Sequence, residues 1–331
     1  MNAKVLGIGN ALVDILSRMP SDEYIERLGL PRGSMQLVNS EQSSEIFDCI
    51  RELNPTTVSG GSAANTIYGL ANLGIPTGMI GKVGQDEMAD FFTDDLKRSG
   101  VEPLLSHSQT HTGNCISLIS PDSERTMATY LGAAVELTAA DIEPPIFDSY
   151  THFYVEGYLV QNFELIEHAL RTAHGKGLIT CLDLASYNVV EDNLDFLKHL
   201  IAKYVDVVFA NEEEATAFTG KEDTEALNEI GDLADIVVIK LGRRGSIVKY
   251  HNKLVREGII TANSIDTTGA GDLYAAGFLY GMINGLSPEK CAQAGAITSG
   301  NVIEVIGTKM DTQRWTRIRQ ALRRLQPEAG A

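Results

Sequence analysis

Apolar residues in this chain come in two rhythms. Short runs rich in Val, Ile and Leu alternate with longer stretches in which apolar residues recur at helical spacing. The short runs predict strands over 4–9, Thr77–Val83, 152–155, 178–183, 205–210 and 236–241. The longer ones predict helices, among them 62–73, stopped by Gly74, and 86–98, stopped by Gly100. Alternating strands and helices imply an α/β fold with a doubly wound, mostly parallel sheet and helices on both faces. A later hairpin, Ser246–Tyr250 with Lys253–Glu257, is expected to extend that sheet. The end of the chain reads as a surface helix followed by a frayed tail, QPEAGA.

Two regions break the alternation. Residues 11–38 contain Pro20, Pro31 and Gly33 and read as irregular. Residues 114–120 and 125–131 are strand-like and flank Pro121-Asp122-Ser123-Glu124, a hairpin with turn chemistry. Together these pieces predict a small accessory sheet beside the main one.

Composition narrows the function. The 331 residues carry a formal charge of −17, with 27 Lys and Arg against 44 Asp and Glu. An acidic surface repels phosphate backbones, so no nucleic-acid partner is expected. No apolar run is long enough to span a membrane, and the N-terminus has no signal-peptide layout. Cys49, Cys115, Cys181 and Cys291 are far apart and form no CxxC, which suits reduced thiols in the cytoplasm. His107 and His111 sit at helical spacing but have no third ligand nearby in the sequence, and read as surface.

Four stretches carry candidate chemistry. In DTTGAGD, 266–272, Gly269, Ala270 and Gly271 precede Asp272 and an apolar run, LYAAGFLYGMI. Glycines there let a ligand approach the main chain. A helix beginning at the turn would offer free N–H groups and its positive dipole end, an anion site. Asp272 beside that site suits removal of a proton from an attacking hydroxyl. Glycine capping with an Asp N-cap would give the same letters.

In VSGGSAANTIYGLANLG, 58–74, Gly60 and Gly61 open a small-residue helix that carries Asn65 in its first turn. Tight helix packing accounts for it equally well. In GIGNALVD, 7–14, a strand ends before Asn10 and Asp14. An ionised Asp accepts from two hydroxyls at once, as a vicinal diol requires, and a capping Asp is the alternative. In NEEEA, 211–215, Asn211 and Glu214 lie one helical turn apart just after a strand. They suit a water-bridged magnesium ion or a dipole-favoured acidic first turn. Neither common nucleotide fingerprint is present. No GxxxxGK is followed by Ser or Thr, and Leu12 replaces the third glycine of a GxGxxG begun by Gly7 and Gly9.

In order and spacing the four stretches resemble the ribokinase-like (PfkB) family of carbohydrate and nucleoside kinases over nearly the whole chain. The resemblance implies a single domain over 1–331, with a small β-sheet lid formed by about 11–38 and 103–131. It implies that Asp272 is the base and that the amides of Gly269, Ala270 and Gly271 form the anion hole. Asn10, Asp14, Gly60, Gly61 and Asn65 would hold the acceptor. Asn211 and Glu214 would order Mg²⁺ and its waters beside ATP. Gly242, Gly245 and Asn301 would border the nucleotide. Asp266 and Thr268 would help to bind a monovalent cation such as K⁺.

Within the family, GIGNALVDI, PRGSMQLV (31–38) and ERTMATYLGAAVEL (124–137) are similar to the adenosine-kinase branch. The acceptor is therefore expected to be a purine nucleoside, most readily adenosine, with a ribokinase-, fructokinase- or 2-keto-3-deoxygluconate-kinase-like sugar kinase as the alternative. Met35, Leu37, Met127 and Tyr130 are candidates for an apolar base slot, or are ordinary inner-face residues of a small sheet. Arg125 would reach a phosphate or sit on the hairpin surface. The protein is expected to be a monomer or a homodimer.

Overall fold

The computed structural model describes residues 3–122 and 124–326. In spatial order the main sheet runs Lys253–Glu257, Ser246–Tyr250, Ile236–Lys240, Val207–Asn211, Ile179–Asp183, His152–Glu156, Val5–Ile8, Thr77–Val83 and Val101–His107. The strands from Ile236–Lys240 to Val101–His107 are parallel, and the hairpin Ser246–Tyr250 with Lys253–Glu257 adds an antiparallel edge.

The central strands are apolar on both sides because both sides are covered. Val207 and Phe209 enter one core, whereas Val208 and Ala210 enter the other. Side chains alternate across a strand, so a strand buried on both faces must be apolar throughout. The first core is roofed by the helices Ser62–Asn72, Ala270–Ile283 and Pro288–Val302. The helix Ala270–Ile283 is buried from Leu273 to Gly281, which explains its lack of a polar face.

A second, five-stranded sheet runs Met35–Leu37, Arg125–Gly132, Thr112–Ile119, Leu12–Arg18 and Thr56–Gly60. One face is packed: Val13, Ile15 and Ile116 lie in the core shared with Ile46 and Ile50 of the helix Ser40–Ile50. The other face carries Asp14, Cys115, Met127 and Arg125 and is only partly covered.

Three expectations need correction. Residues 11–38 are not irregular, because Leu12–Arg18 is a strand paired on both sides within the small sheet. Its alternation was hidden because Leu12 and Leu16 on the open-face parity are as apolar as Val13 and Ile15. Residues 103–107 belong to the edge strand Val101–His107 of the main sheet, and Thr56–Gly60 joins the small sheet instead. The last helix, Thr312–Arg323, is not merely superficial. It buries Trp315, Ile318 and Leu322, and Trp315 Nε1 donates to the Tyr68 hydroxyl at 3.0 Å. Ser123 of the expected turn and residues 327–331 of the expected tail lie outside the described residues.

Candidate active site

Parallel sheets place ligand-binding groups at the carboxyl ends of their strands. Here those ends carry polar residues that close apolar runs: Glu156, Asp183, Asn211 and Lys240, with Asn10 just beyond Val5–Ile8. The turn 266–272 faces this edge. Gly269 has φ 69° and caps the helix Ala270–Ile283. A Cβ there would meet Thr308 Cγ2 at 2.3 Å, so glycine is required on both counts.

The helix leaves amides free. The Ala270 N–H donates to Thr267 O at 3.2 Å, whereas among the described residues those of Gly269, Gly271 and Asp272 donate to no backbone carbonyl outside the helix and to no side chain. The amides left free at this helix start are thus those of Gly269, Gly271 and Asp272, whereas that of Ala270 is engaged. Lys240 Nζ lies 3.2 Å from where a Gly271 Cβ would sit and donates to Asp183 Oδ2 at 2.9 Å. Burial alone would lower the Lys240 pKa. Asp183, Glu214 and Asp272 outweigh that effect and keep the ammonium charged. Neither Lys240 nor Asp183 was identified from sequence. A charged residue ending an apolar parallel strand was the available signal.

Asp272 is held on two sides. Ser62 Oγ donates to Oδ1 at 2.8 Å and Asn65 Nδ2 to Oδ2 at 3.0 Å. Thr308 Oγ1 donates to Asn65 Oδ1 at 2.9 Å and so fixes which way that amide points. Burial raises the Asp272 pKa to about 6 against the lowering by Asn65 and Ser62. A carboxyl titrating there is ionised at neutral pH yet far more basic than an ordinary aspartate.

Asn211 and Glu214 form a capping box at the start of the helix Glu212–Thr219. Asn211 N and Nδ2 each donate to Glu214 at 2.7 Å, and Glu214 N donates back to Asn211 Oδ1 at 2.8 Å. Burial and Asp183 push the Glu214 carboxyl up to about 7. The capping reading of this stretch therefore holds, and the charge of Asp183 reaches the Glu214 carboxyl. Among the described residues no group of His, Cys, Asp and Glu is clustered tightly enough to ligate a metal directly.

The acceptor-side residues also converge. A Cβ on Gly60 would fall 2.2 Å from the Asp14 carboxylate. A Cβ on Gly61, whose φ is 95°, would fall 2.3 Å from Asn10 O. Asn10 N and Nδ2 both donate to Glu156 Oε1 at 2.8 Å, and Ala63 N donates to Oε2 at 2.9 Å. Glu156, 1% exposed and also unidentified from sequence, thus ties the Asn10 loop to the first turn of the helix Ser62–Asn72. Burial raises it to about 7 against those three bonds.

Asp14 differs. No described residue donates a hydrogen bond to its carboxylate, and burial pushes it up to about 7 against the charges of Lys309 and Arg125. Lys309 is itself engaged, donating to Ser59 Oγ at 2.7 Å, pairing with Asp95 at 3.2 Å and lying 3.9 Å over the Tyr68 ring.

Met35 pairs with Met127 across neighbouring strands. By strand alternation Met127 shares a face with Arg125 and Thr129, and Thr129 lies beside Cys115, which lies beside Asp14. The two methionines are therefore on the open face, as is Leu37, 60% exposed. Tyr130 is not, because it has the parity of Thr126 and Ala128 on the packed face.

The three expected nucleotide residues sit in a turn that begins two residues after Lys240 and in the helix Pro288–Val302. Gly242 (φ 55°) opens the turn Gly242–Arg244, and Gly245 (φ 83°) closes it. Asn301, in the helix Pro288–Val302, donates to Ile297 O at 2.8 Å. Among the described residues none of the three is hydrogen-bonded to the glycine turn or to the Asp183–Lys240 pair. Asp266 Oδ1 accepts the Thr268 N–H at 3.0 Å. Its Oδ2 accepts the Gly307 N–H at 2.6 Å and is paired with Arg125 Nη2.

Comparison with known proteins bears on the family and the fold. Residues 42–314 match the model of the pfkB family carbohydrate kinases. The solved structure of an adenosine kinase from Sinorhizobium meliloti is 35% identical, with a TM-score of 0.87 over 97% of this chain and 100% of that one. A probable sugar kinase protein from Rhizobium etli is 33% identical, with a TM-score of 0.88 over 97% of this chain and 98% of that one. A 5-dehydro-2-deoxygluconokinase from Geobacillus thermodenitrificans is 31% identical over 268 residues, 75% of this chain and 79% of its own length.

Proposed function

The chain belongs to the pfkB family of carbohydrate kinases and is a phosphotransferase acting on an alcohol group; from that premise we propose that its acceptor is a purine nucleoside, adenosine first, phosphorylated by ATP at the 5′-hydroxyl. The observation that carries the acceptor class is the open face of the small sheet. It sets the apolar Met35, Leu37 and Met127 on the same side as Asp14. An apolar slot for a base beside a carboxylate for ribose hydroxyls is the chemistry a nucleoside needs.

In the proposed reaction Asp14 accepts from the ribose hydroxyls. Asp272 takes the proton of the 5′-hydroxyl. The freed oxygen forms a bond to the γ-phosphorus while the bond from that phosphorus to the β,γ-bridging oxygen breaks, and ADP leaves. The amides of Gly269, Gly271 and Asp272 receive the developing negative charge. Lys240, held by Asp183, adds a fixed positive charge beside Gly271. Two acids at the carboxyl ends of neighbouring strands, Glu214 and the Lys240-bound Asp183, fit a water-bridged Mg²⁺. Glu214 and Asp183 would hold it, and when bound it neutralises phosphate charge. The small sheet acts as the lid that excludes water from the transfer. No helix among the described residues is long and apolar enough to cross a membrane, and the four free cysteines suit a reducing cytoplasm.

A keto-sugar acid is the second reading, because Lys309 and Arg125 flank Asp14 with positive charge that would suit a carboxylate. The deciding experiment is ATP-dependent phosphorylation with Mg²⁺ across adenosine, inosine, guanosine, cytidine, ribose, fructose and 2-keto-3-deoxygluconate. A nucleoside preferred by orders of magnitude in kcat/KM supports the reading. Preference for a free sugar or a sugar acid overturns it.

A further inference from the structure

The resemblance implies a monovalent cation at Asp266 and Thr268, and the donor chemistry around Asp266 does not fit one. Both carboxylate oxygens already accept N–H groups: Oδ1 from Thr268, Oδ2 from Gly307 and from the Arg125 guanidinium. Thr268 contributes its amide, whose positive end would repel a cation rather than ligate it. The Asp266 side chain is 5% exposed and that of Arg125 13%, so water screens this ion pair little. A guanidinium–carboxylate pair is also a strong, directional bond.

The two partners come from different parts of the fold. Arg125 begins the small-sheet strand Arg125–Gly132, whereas Asp266 opens the turn that ends in Gly269, Gly271 and Asp272. Arg125 Nη1 is buried without a partner among the described residues, and the charge of the group reaches Asp14. One side chain therefore touches the lid sheet, the glycine turn and the surroundings of the acceptor carboxylate.

We infer that Arg125 is a built-in replacement for a monovalent cation: its guanidinium neutralises Asp266 and holds the glycine turn in shape, so that phosphoryl transfer needs no K⁺ and is tied instead to the lid sheet. This rests on the turn being the phosphate site and not on which acceptor is used. Arg125 is here a positioning residue acting through Asp266.

The test uses the full-length enzyme and whichever acceptor it turns over best. Initial rates are measured in tetramethylammonium, sodium and potassium chloride at constant ionic strength. Thermal unfolding is followed in the same salts with no acceptor present. The unmodified enzyme should change in kcat by less than about twofold among the salts, against the about 5–150-fold of a coupled effector. Arg125→Ala should lose about ten- to hundredfold in kcat, as for a lost charged hydrogen bond. It should also gain a saturable K⁺ stimulation and a K⁺-dependent rise in Tm that the unmodified enzyme lacks. Arg125→Lys, which keeps the charge, should recover part of the rate without added K⁺.

A saturable K⁺ stimulation of the unmodified enzyme overturns the inference. So does an Arg125→Ala variant that keeps its kcat and loses only affinity for the acceptor, since the guanidinium would then be an acceptor-binding group. If no nucleoside is turned over, the proposed function fails, while the salt comparison and the unfolding curves still decide this inference.

Discussion

The two walls of the candidate site, the glycine-turn side and the small-sheet side, are built on opposite principles. On the phosphate wall nearly every charged group is held by another protein group. Asp272 accepts from Ser62 and Asn65, Lys240 donates to Asp183, and Glu214 is bound to Asn211. On the acceptor wall Asp14 receives no hydrogen bond from the described residues, and the open face beside it is lined by the flexible side chains of Met35 and Met127. The first wall is preorganised, as a site must be whose partner, a triphosphate, has fixed chemistry. The second leaves its acceptor capacity unspent, and methionine adapts its shape to what it meets. On the proposed function the reaction is written into the main sheet and specificity into the small one.

The comparison breaks most sharply at Asp272. Asp272→Asn should lower kcat by about 10²–10⁴-fold, the range for a lost general base. The fold should be retained, because Asn still fills the space between Ser62 and Asn65. Steady-state kinetics beside a melting curve checks both halves. A folded variant that keeps most of its rate would remove Asp272 from the chemistry.

Lys240→Met should follow, with kcat/KM for ATP lower by about 10–100-fold, in line with a charged hydrogen bond to phosphate. The KM for the acceptor should stay in place, and Lys240→Arg should restore part of the loss. If the acceptor KM moves instead, Lys240 belongs to the other wall. Asp14→Asn should show the mirror image: an acceptor KM raised by about tenfold, a single ribose contact weakened, with the KM for ATP unchanged. Initial-rate matrices in both substrates separate these cases.

What was legible in the sequence divides along the same line. Asp272, Asn65 and Gly60 stand in short stretches whose local order matters, glycines opening a helix, and Asp14 follows the end of the first strand; the structure sets Gly60 against Asp14 and Asn65 against Asp272, whose charge reaches Asp14. Glu156, Asp183 and Lys240 were missed. Each is one charged letter at the end of an apolar strand, and its meaning comes from a partner far away in the chain. Glu156 binds Asn10 at a separation of 146 residues and Lys240 binds Asp183 at 57. The strand Leu12–Arg18 was missed because Leu12 and Leu16 on its open-face parity blur the alternation with Val13 and Ile15. The helix Ser40–Ile50 did carry a readable signal, the Asn39–Gln42 capping box. Arg125 was left between two readings by sequence, and the partner it takes, Asp266, was assigned to a cation.

The smallest expected effect is on stability, and it tests the difference between the walls without any substrate. Asp14, Glu156 and Glu214 titrate at about 7 in the folded protein and Asp272 at about 6. In the unfolded chain such groups titrate near 4. Between those values the folded state binds more protons, so the contribution of these groups is complete below about pH 4 and is lost as pH rises through 6–7. The melting temperature should therefore fall from about pH 5.5 to pH 8. His152 works in the opposite sense, since burial lowers its pKa and the unfolded chain takes up its proton first. It is one group against four. Asp14→Asn removes a raised carboxyl that has no hydrogen bond to lose, so it should raise the melting temperature at pH 8 and flatten the slope. Asp272→Asn removes one that accepts two bonds, and its gain should be smaller. Equal gains would mean that Ser62 and Asn65 do little for Asp272, and that the phosphate wall is no better satisfied than the acceptor wall.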